Sequence, residues 1–504
     1  MKHKISNVIF ISIFMLILIL PAVFINRKSE QISVIDNEIL PEWPGFDARL
    51  SNIDSIEKYV NKRIGFREQM ISSYIVLNDR LFHVMVHPLF MYGKQGHIFF
   101  KDDAYIRAYQ RLNTDKEWLD SFTGFLKDTD AYLKSKDIKF LYYLCPDKKT
   151  IYSEYFPDCI HVNENNTPVI EYLENNLEKT EVEYIIPVDE LLKAKQSEVV
   201  YNRLYDATHW NEDGAFLGHE LIDEKVQEWF DDVPPLSKDD FERTMELKTS
   251  LDVSLFPIKE AVPAYEIRDD KSSNLTGLLY PYLNYSTLTF YSHFNNPQCG
   301  NNRKLLVFTD SYFGNFHKFY QNRFSEVYFV HRQNYAYLQY YVNLFFPDMV
   351  IFETAERSIT GEMAGQADFN GLFYEPPYKG DLSSLRSGED IGYTLENVSG
   401  LTLRDKDLLL NVNGGDEIVS IRGYLSPKEG SSSDYYVYAK IGEDAILECD
   451  YFALNYQTDP SLSREFSVNV QRRYLMEEEI SLIAVNRNTE EEYLIDTFEV
   501  RYDQ

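Results

Sequence analysis

Cysteine is scarce in this chain. Four residues, Cys145, Cys159, Cys299 and Cys449, are scattered over 504 positions. That excludes a scaffold built on disulfides and leaves a single Cys145–Cys159 bridge and free thiols as equal alternatives. No Cys-x-x-Cys and no Cys/His ligand spacing occurs, so neither a zinc site nor any other metal or cofactor is expected. Positive charge is also short: 50 Lys and Arg stand against 80 Asp and Glu, a net charge of -30. A phosphate backbone needs a basic face, so nucleic acid is excluded as a partner. Long apolar runs are missing beyond the N-terminal segment, and no internal repeat or low-complexity tract is found.

What is present is ordinary globular material with an aromatic excess. Hydrophobic residues make up 44% and charged residues 26%, which argues against disorder. The 38 Tyr and 33 Phe fall mostly within apolar runs and are expected in cores. A chain of this length calls for more than one domain. Residues 1–29 hold a short basic start, an apolar run from Val8 to Ile25 interrupted only by Ser12, and the closing Asn26-Arg27-Lys28. This reads as an uncleaved signal anchor, with a cleaved signal peptide as the alternative, and it places the bulk of the chain outside the cytoplasm. Residues 30–51 read as a polar linker.

Residues 52–387 read as an α/β domain. Apolar positions recur at three- and four-residue steps over Ile53–Phe82, as in a helix. Short apolar runs at Lys139–Leu144, Glu183–Val188, Lys304–Phe308, Glu326–Val330 and Met349–Phe352 read as buried parallel strands. Helical patterns lie between them, including Trp118–Ser135, Val169–Leu177, Asp213–Phe230, Phe313–Phe324 and Tyr335–Phe345. The fold class expected is therefore a doubly wound parallel sheet with helices on both faces, its chemistry at the carboxyl ends of the strands. Residues 231–301 break the pattern and read as an insertion or cover. From 388 to 504 short alternating strands separated by Gly, Ser and Asn turns predict a β-sandwich.

Two motifs carry chemistry. Asp206-Ala-Thr-His209-Trp210-Asn211 precedes a helix, and Thr309-Asp310-Ser311-Tyr312 follows the apolar run Leu305–Phe308. Together they supply a carboxylate, an imidazole and a hydroxyl, the parts of an acyl-transfer site in which Asp206 orients His209 and His209 deprotonates Ser311. Each motif alone also reads as a helix-capping turn, since Asp and Ser are favoured there. Tyr312, Asn315 and Asn334 are candidate oxyanion groups beside the Ser311 N–H. Lys148, Tyr152 and Arg357 follow strand ends and are candidate cleft residues, with structural roles as the competing reading.

The stretch DATHWNEDGAFLG followed by LLVFTDSYFGNF resembles the SGNH-hydrolase-like domain of the alginate O-acetyltransferase (AlgX/AlgJ) family. IEKYVNKRIGFREQMISSYIVLNDRLF, MYGKQGHIFF and CPDKKTIYSEYFP resemble the same family, so the likeness spans roughly residues 50–230 and 300–360. The chain shares the family's permuted order of Asp, His and Ser. It departs in two places: the acid stands one position further from the histidine, and Thr309 replaces the glycine of the family's Gly-Asp-Ser. The resemblance implies an SGNH/flavodoxin-like fold and an extracytoplasmic O-acetyltransferase working on a polysaccharide through a Ser311 acyl-enzyme. It also implies a multipass membrane acyltransferase that relays the acyl group. A carbohydrate esterase using the same residues is a second expectation. An inactive glycan-binding or scaffold protein of a polysaccharide export system is a third. The same likeness gives the sandwich a carbohydrate-binding role by placement only.

Overall fold

A computed structural model describes all of the chain except residues 1, 29–31, 34–37, 47–51, 83, 255, 280–282, 284–290, 315, 361–373, 397–400, 405–406, 411–416, 443–444, 450–464, 476–477 and 503–504. At its centre is a seven-stranded sheet. Its strands in chain order are β1 (Lys139–Cys145), β2 (Tyr184–Ile185), β3 (Ser273–Asn274), β4 (Ser292–Asn295), β5 (Lys304–Thr309), β6 (Glu326–His331) and β7 (Met349–Ala355). The spatial order is β2-β1-β7-β5-β6-β4-β3. Pairings from β2 through β6 are parallel, whereas β4 pairs antiparallel with both β6 and β3.

Alternation along the parallel strands divides the core in two. Phe140, Tyr142, Leu306, Phe308, Val350 and Phe352 face one side, where Lys116–Ser135, Val169–Leu177 and Leu338–Phe345 pack as helices. Leu141, Tyr143, Leu305, Val307, Met349 and Ile351 face the other, against the helix Glu212–Trp229. Helices thus cover both faces, which is why these strands are apolar on every residue rather than every second one.

Two parts of the expected fold class are corrected. The sheet is mixed rather than parallel, because part of the segment read as an insertion supplies β3 and β4 and closes one edge. The N-terminal membrane segment is not supported: among the described residues no helix is long and apolar enough to cross a membrane. The N-terminal helix stops at Val23 with Pro21 inside it. Its apolar side chains from Val8 onward give a rod of about 24 Å, shorter than the ~30 Å hydrocarbon layer. The chain then turns back, with the Asn26 N–H donating to Arg63 O at 2.7 Å and the Gly65 N–H to Pro21 O at 2.9 Å.

The rest of 231–301 includes a long hairpin, Phe241–Ser250 with Pro257–Ile267. Among the described residues, those beyond 385 form a seven-stranded sheet, in which the short strand Arg386–Ser387 pairs with the interior strand Glu492–Tyr502, and a three-stranded sheet around a shared apolar core. The four thiols are free. Where a helix over Phe313–Phe324 was expected, the described residues hold turns and the 3₁₀ segment Phe316–Phe319. Asp310 diverts that backbone: its carboxylate accepts from the Tyr312 N–H and its carbonyl from the Gly314 N–H, the turn-forming habit of aspartate.

Candidate active site

Three neighbouring strands deliver the site at their carboxyl ends. Ser311 stands two residues beyond β5, Arg357 two beyond β7, and Asp147 two beyond β1. The fourth contribution comes from the loop ahead of the helix Glu212–Trp229, which carries Asp206 and His209.

That loop is organised by its own aspartate. Asp206 Oδ1 accepts from the backbone N–H groups of Thr208 and His209 at 2.8 and 2.9 Å, and Oδ2 accepts from His209 Nδ1 at 2.8 Å. The three-residue spacing therefore closes a turn in which one oxygen holds the backbone and the other holds the ring. Asn211 caps the following helix by accepting from the Gly214 N–H at 2.9 Å. Trp210 packs against Tyr312 and Phe313 and fixes the loop against the nucleophile turn. Gly218 is required beneath that indole, because a Cβ there would lie 2.7 Å from its ring.

His209 Nε2 lies 2.8 Å from Ser311 Oγ. Asp206, His209 and Ser311 thus form one hydrogen-bonded series, with 102 positions separating His209 from Ser311 and Ser311 exposed at its outer end. Arg357 Nη2 adds a contact 3.0 Å from His209 Nε2 and 3.2 Å from Ser311 Oγ. A guanidinium only donates, so Nε2 accepts, and the imidazole carries its proton on Nδ1 toward Asp206. Burial pushes the Asp206 carboxyl up, but its interactions with His209 and the two backbone N–H groups outweigh it and hold it well below the usual aspartate range. Burial pulls the Arg357 guanidinium down, and Asp147, Tyr312 and Asp310 more than restore it, so its charge is permanent.

The remaining candidates fall in different places. Tyr312 is buried, with its hydroxyl 2.8 Å from Thr208 O and 2.9 Å from Pro146 O and its ring edge-on to His209. It backs the histidine from behind. Lys148 is fully buried and donates to the carbonyls of Ile98, Arg203 and Asp206. Tyr152 is buried, and its hydroxyl accepts from the Val200 N–H at 3.4 Å. Asn334 is buried in the 3₁₀ segment Arg332–Tyr337 that follows β6. Asn315 lies outside the described residues.

Sequence reasoning passed over three acids. Asp147 fixes Arg357 by accepting from Nη1 at 2.5 Å and from its backbone N–H at 3.1 Å. Glu353 Oε2 accepts from the Asp310 N–H at 2.8 Å and from Thr309 Oγ1 at 3.0 Å, anchoring the nucleophile turn from the next strand. Burial and the nearby Asp310 push the Glu353 carboxyl far up. Glu260, on the long hairpin, accepts from the backbone N–H groups of Arg203, Leu204 and Tyr205. One signal was readable: a lone glutamate inside the apolar strand MVIFETA has no cheap reason to be there.

Among solved structures, the chain is similar to Bacillus cereus PatB1 (16% identity, TM-score 0.42, covering 55% of this chain and 98% of that one). It is similar to the O-acetyltransferase domain of Pseudomonas putida AlgJ (15%, TM-score 0.37, 60% and 96%). It is also similar to Pseudomonas aeruginosa AlgX (12%, TM-score 0.33, 81% and 90%). AlgJ and AlgX are thus among its structural neighbours. No family model and no curated protein matches the chain. These likenesses are distant, and the chemistry of the site rests on its own atoms.

Proposed function

We propose that this protein is a serine O-acyltransferase that moves acetyl groups onto the hydroxyls of a polysaccharide outside the cytoplasm, receiving them from a multipass membrane acyltransferase. The observation that carries this reading is the exposed Ser311 hydroxyl 2.8 Å from His209 Nε2, with Asp206 on the far nitrogen of the ring. The sequence resemblance to the AlgX/AlgJ family supplies acetyl and polysaccharide as the substrate classes.

In the first half-reaction Ser311 Oγ attacks the acyl carbonyl carbon while His209 Nε2 takes its proton. Asp206 holds the ring and balances the imidazolium. The tetrahedral oxyanion develops beside Arg357, whose charge is already in place and costs no reorganisation. Collapse breaks the bond to the donor's leaving oxygen, which receives the proton from His209. In the second half-reaction a sugar hydroxyl gives its proton to His209 and attacks the Ser311 ester; the bond from the acyl carbon to Ser311 Oγ breaks, His209 returns the proton to Oγ, and the acetylated glycan leaves.

The test is transfer from a chromogenic acetyl ester to glycan oligomers, read by mass spectrometry of the glycan. Acetylated glycan is expected with the native protein and a loss of about 10⁴–10⁶-fold in Ser311→Ala and His209→Ala. Acetate release without glycan product would move the reading to an esterase. Activity equal in the native protein and both variants would refute the Ser311–His209 chemistry.

A further inference from the structure

Lys148 stands out among the groups the proposed mechanism leaves unused. A fully buried lysine usually pairs with a carboxylate. Here Nζ donates instead to three backbone carbonyls, Ile98 O at 2.8 Å, Asp206 O at 2.9 Å and Arg203 O at 3.1 Å. Its backbone N–H donates to Thr208 O at 2.9 Å. One residue beyond Asp147 therefore grips the Asp206 turn at two points and ties it to the strand Ile98–Phe100. The loop that presents Asp206 and His209 lies between Lys148 on one side and the Glu260 carboxylate on the other.

The three carbonyls match the three N–H bonds of an ammonium. A neutral amine has two, so its formation leaves one buried carbonyl without a donor, a loss of the kind folded chains avoid. We infer that Lys148 is a positioning residue of the acyl-transfer site, its ammonium form holding the Asp206 turn at the distance from which the carboxylate orients His209. This rests on the reading of Ser311, His209 and Asp206 given above.

The groups facing Lys148 decide when the ammonium is lost. Asp206 and Glu260 favour it, the Phe99 ring lies 5.1 Å from Nζ, and His97 and Arg203 are neighbouring bases. Burial dominates and lowers its pKa to about 7. Loss of a proton above that point removes the third donor. Turnover should therefore fall as pH rises through about 7.

Stability runs the other way. Between about 7 and the ordinary lysine value the unfolded chain binds the proton that the folded chain has released, so folding grows more favourable as pH rises. A residue that was merely structural would move activity and stability together. Lys148 moves them in opposite directions.

The experiment is the pH dependence of kcat for acetyl-ester turnover in the full chain, in native protein, Lys148→Arg, Lys148→Met and Ser311→Ala, with thermal melts at each pH. Expected are an alkaline limb near pH 7 in the native protein and its displacement to higher pH in Lys148→Arg. Lys148→Met should lose about 10²-fold in kcat, with little change in KM and no such limb. Should Lys148→Met fail to fold, the native and Lys148→Arg profiles decide alone. An alkaline limb unchanged in Lys148→Arg, or native kcat in Lys148→Met, would overturn the inference while leaving Ser311 standing. Native activity in Ser311→Ala would instead overturn the reading beneath it.

Discussion

Asp206 does two jobs with two oxygens, and they separate by substitution. Asn at 206 keeps one acceptor and offers an amide donor, so it can retain the backbone turn while presenting the wrong partner to Nδ1. Asp206→Asn is expected to lower kcat by about 10⁴-fold with the fold intact, measured by steady-state kinetics beside circular dichroism. The sign on stability follows from the lowered carboxyl: an Asp206 held below its unfolded value stabilises the native state above the ordinary aspartate pKa. That contribution is lost as pH falls through the lowered value. Denaturant titrations at acid pH should show a shallower decline in Asp206→Asn than in the native protein. Arg357→Met should cost about 10²–10³-fold in kcat with little effect on KM, because in the proposed mechanism the oxyanion develops beside this guanidinium, 3.2 Å from Ser311 Oγ. Of these residues, Ser311 stood out in the sequence because it sits in a turn after an apolar run, and Asp206 and His209 because they share a turn ahead of an amphipathic helix. Arg357 was legible only as one of several polar residues after a strand end, since its role depends on Asp147, 210 positions earlier, bracing it.

The elements that hold the site explain why Asp206 and Ser311 are so far apart in sequence and adjacent in space. The parallel strands β1, β7 and β5 place three loops side by side, and those strands were legible because burial on both faces writes an unbroken apolar run. The antiparallel strands β3 and β4 were not: each is short and lies in a polar stretch without a clear alternating pattern. The long hairpin was equally silent, because much of Phe241–Ser250 faces solvent and lacks an apolar face. Yet it supplies Glu260, which accepts three backbone N–H groups ahead of Asp206. Glu260→Ala leaves those donors without their carboxylate and should lower stability by about 2 kcal/mol, measured by urea denaturation. A larger proportional loss in kcat is expected, because the loop that loosens is the one carrying Asp206 and His209.

Across the whole molecule, the C-terminal sandwich lies at the end of the sheet opposite Ser311. It meets the amino ends of β5 and β6, where Lys304 Nζ donates to the Tyr474 hydroxyl at 2.6 Å and Arg473 forms a two-armed pair with Glu326 at 2.7 Å. Buried Glu448 accepts from Lys136 Nζ at 2.7 Å, and Asn343 Nδ2 donates to Glu448 O at 3.0 Å. The sandwich therefore braces the catalytic unit from below. Glu448→Ala, which strips Lys136 of its buried partner, is expected to destabilise the protein by about 3 kcal/mol in chemical denaturation. The kcat of the folded fraction should be unchanged. The sandwich itself was legible from turn spacing, but its docking was not, because it joins residues far apart in sequence, such as Asn343 with Glu448 and Phe346 with Tyr474. The most direct measurement for the whole account is intact-protein and peptide mass spectrometry after brief exposure to an acetyl ester. One acetyl group on Ser311, absent in Ser311→Ala, is the predicted result. A folded protein that never acquires the group, or acquires it on another residue, would contradict the account.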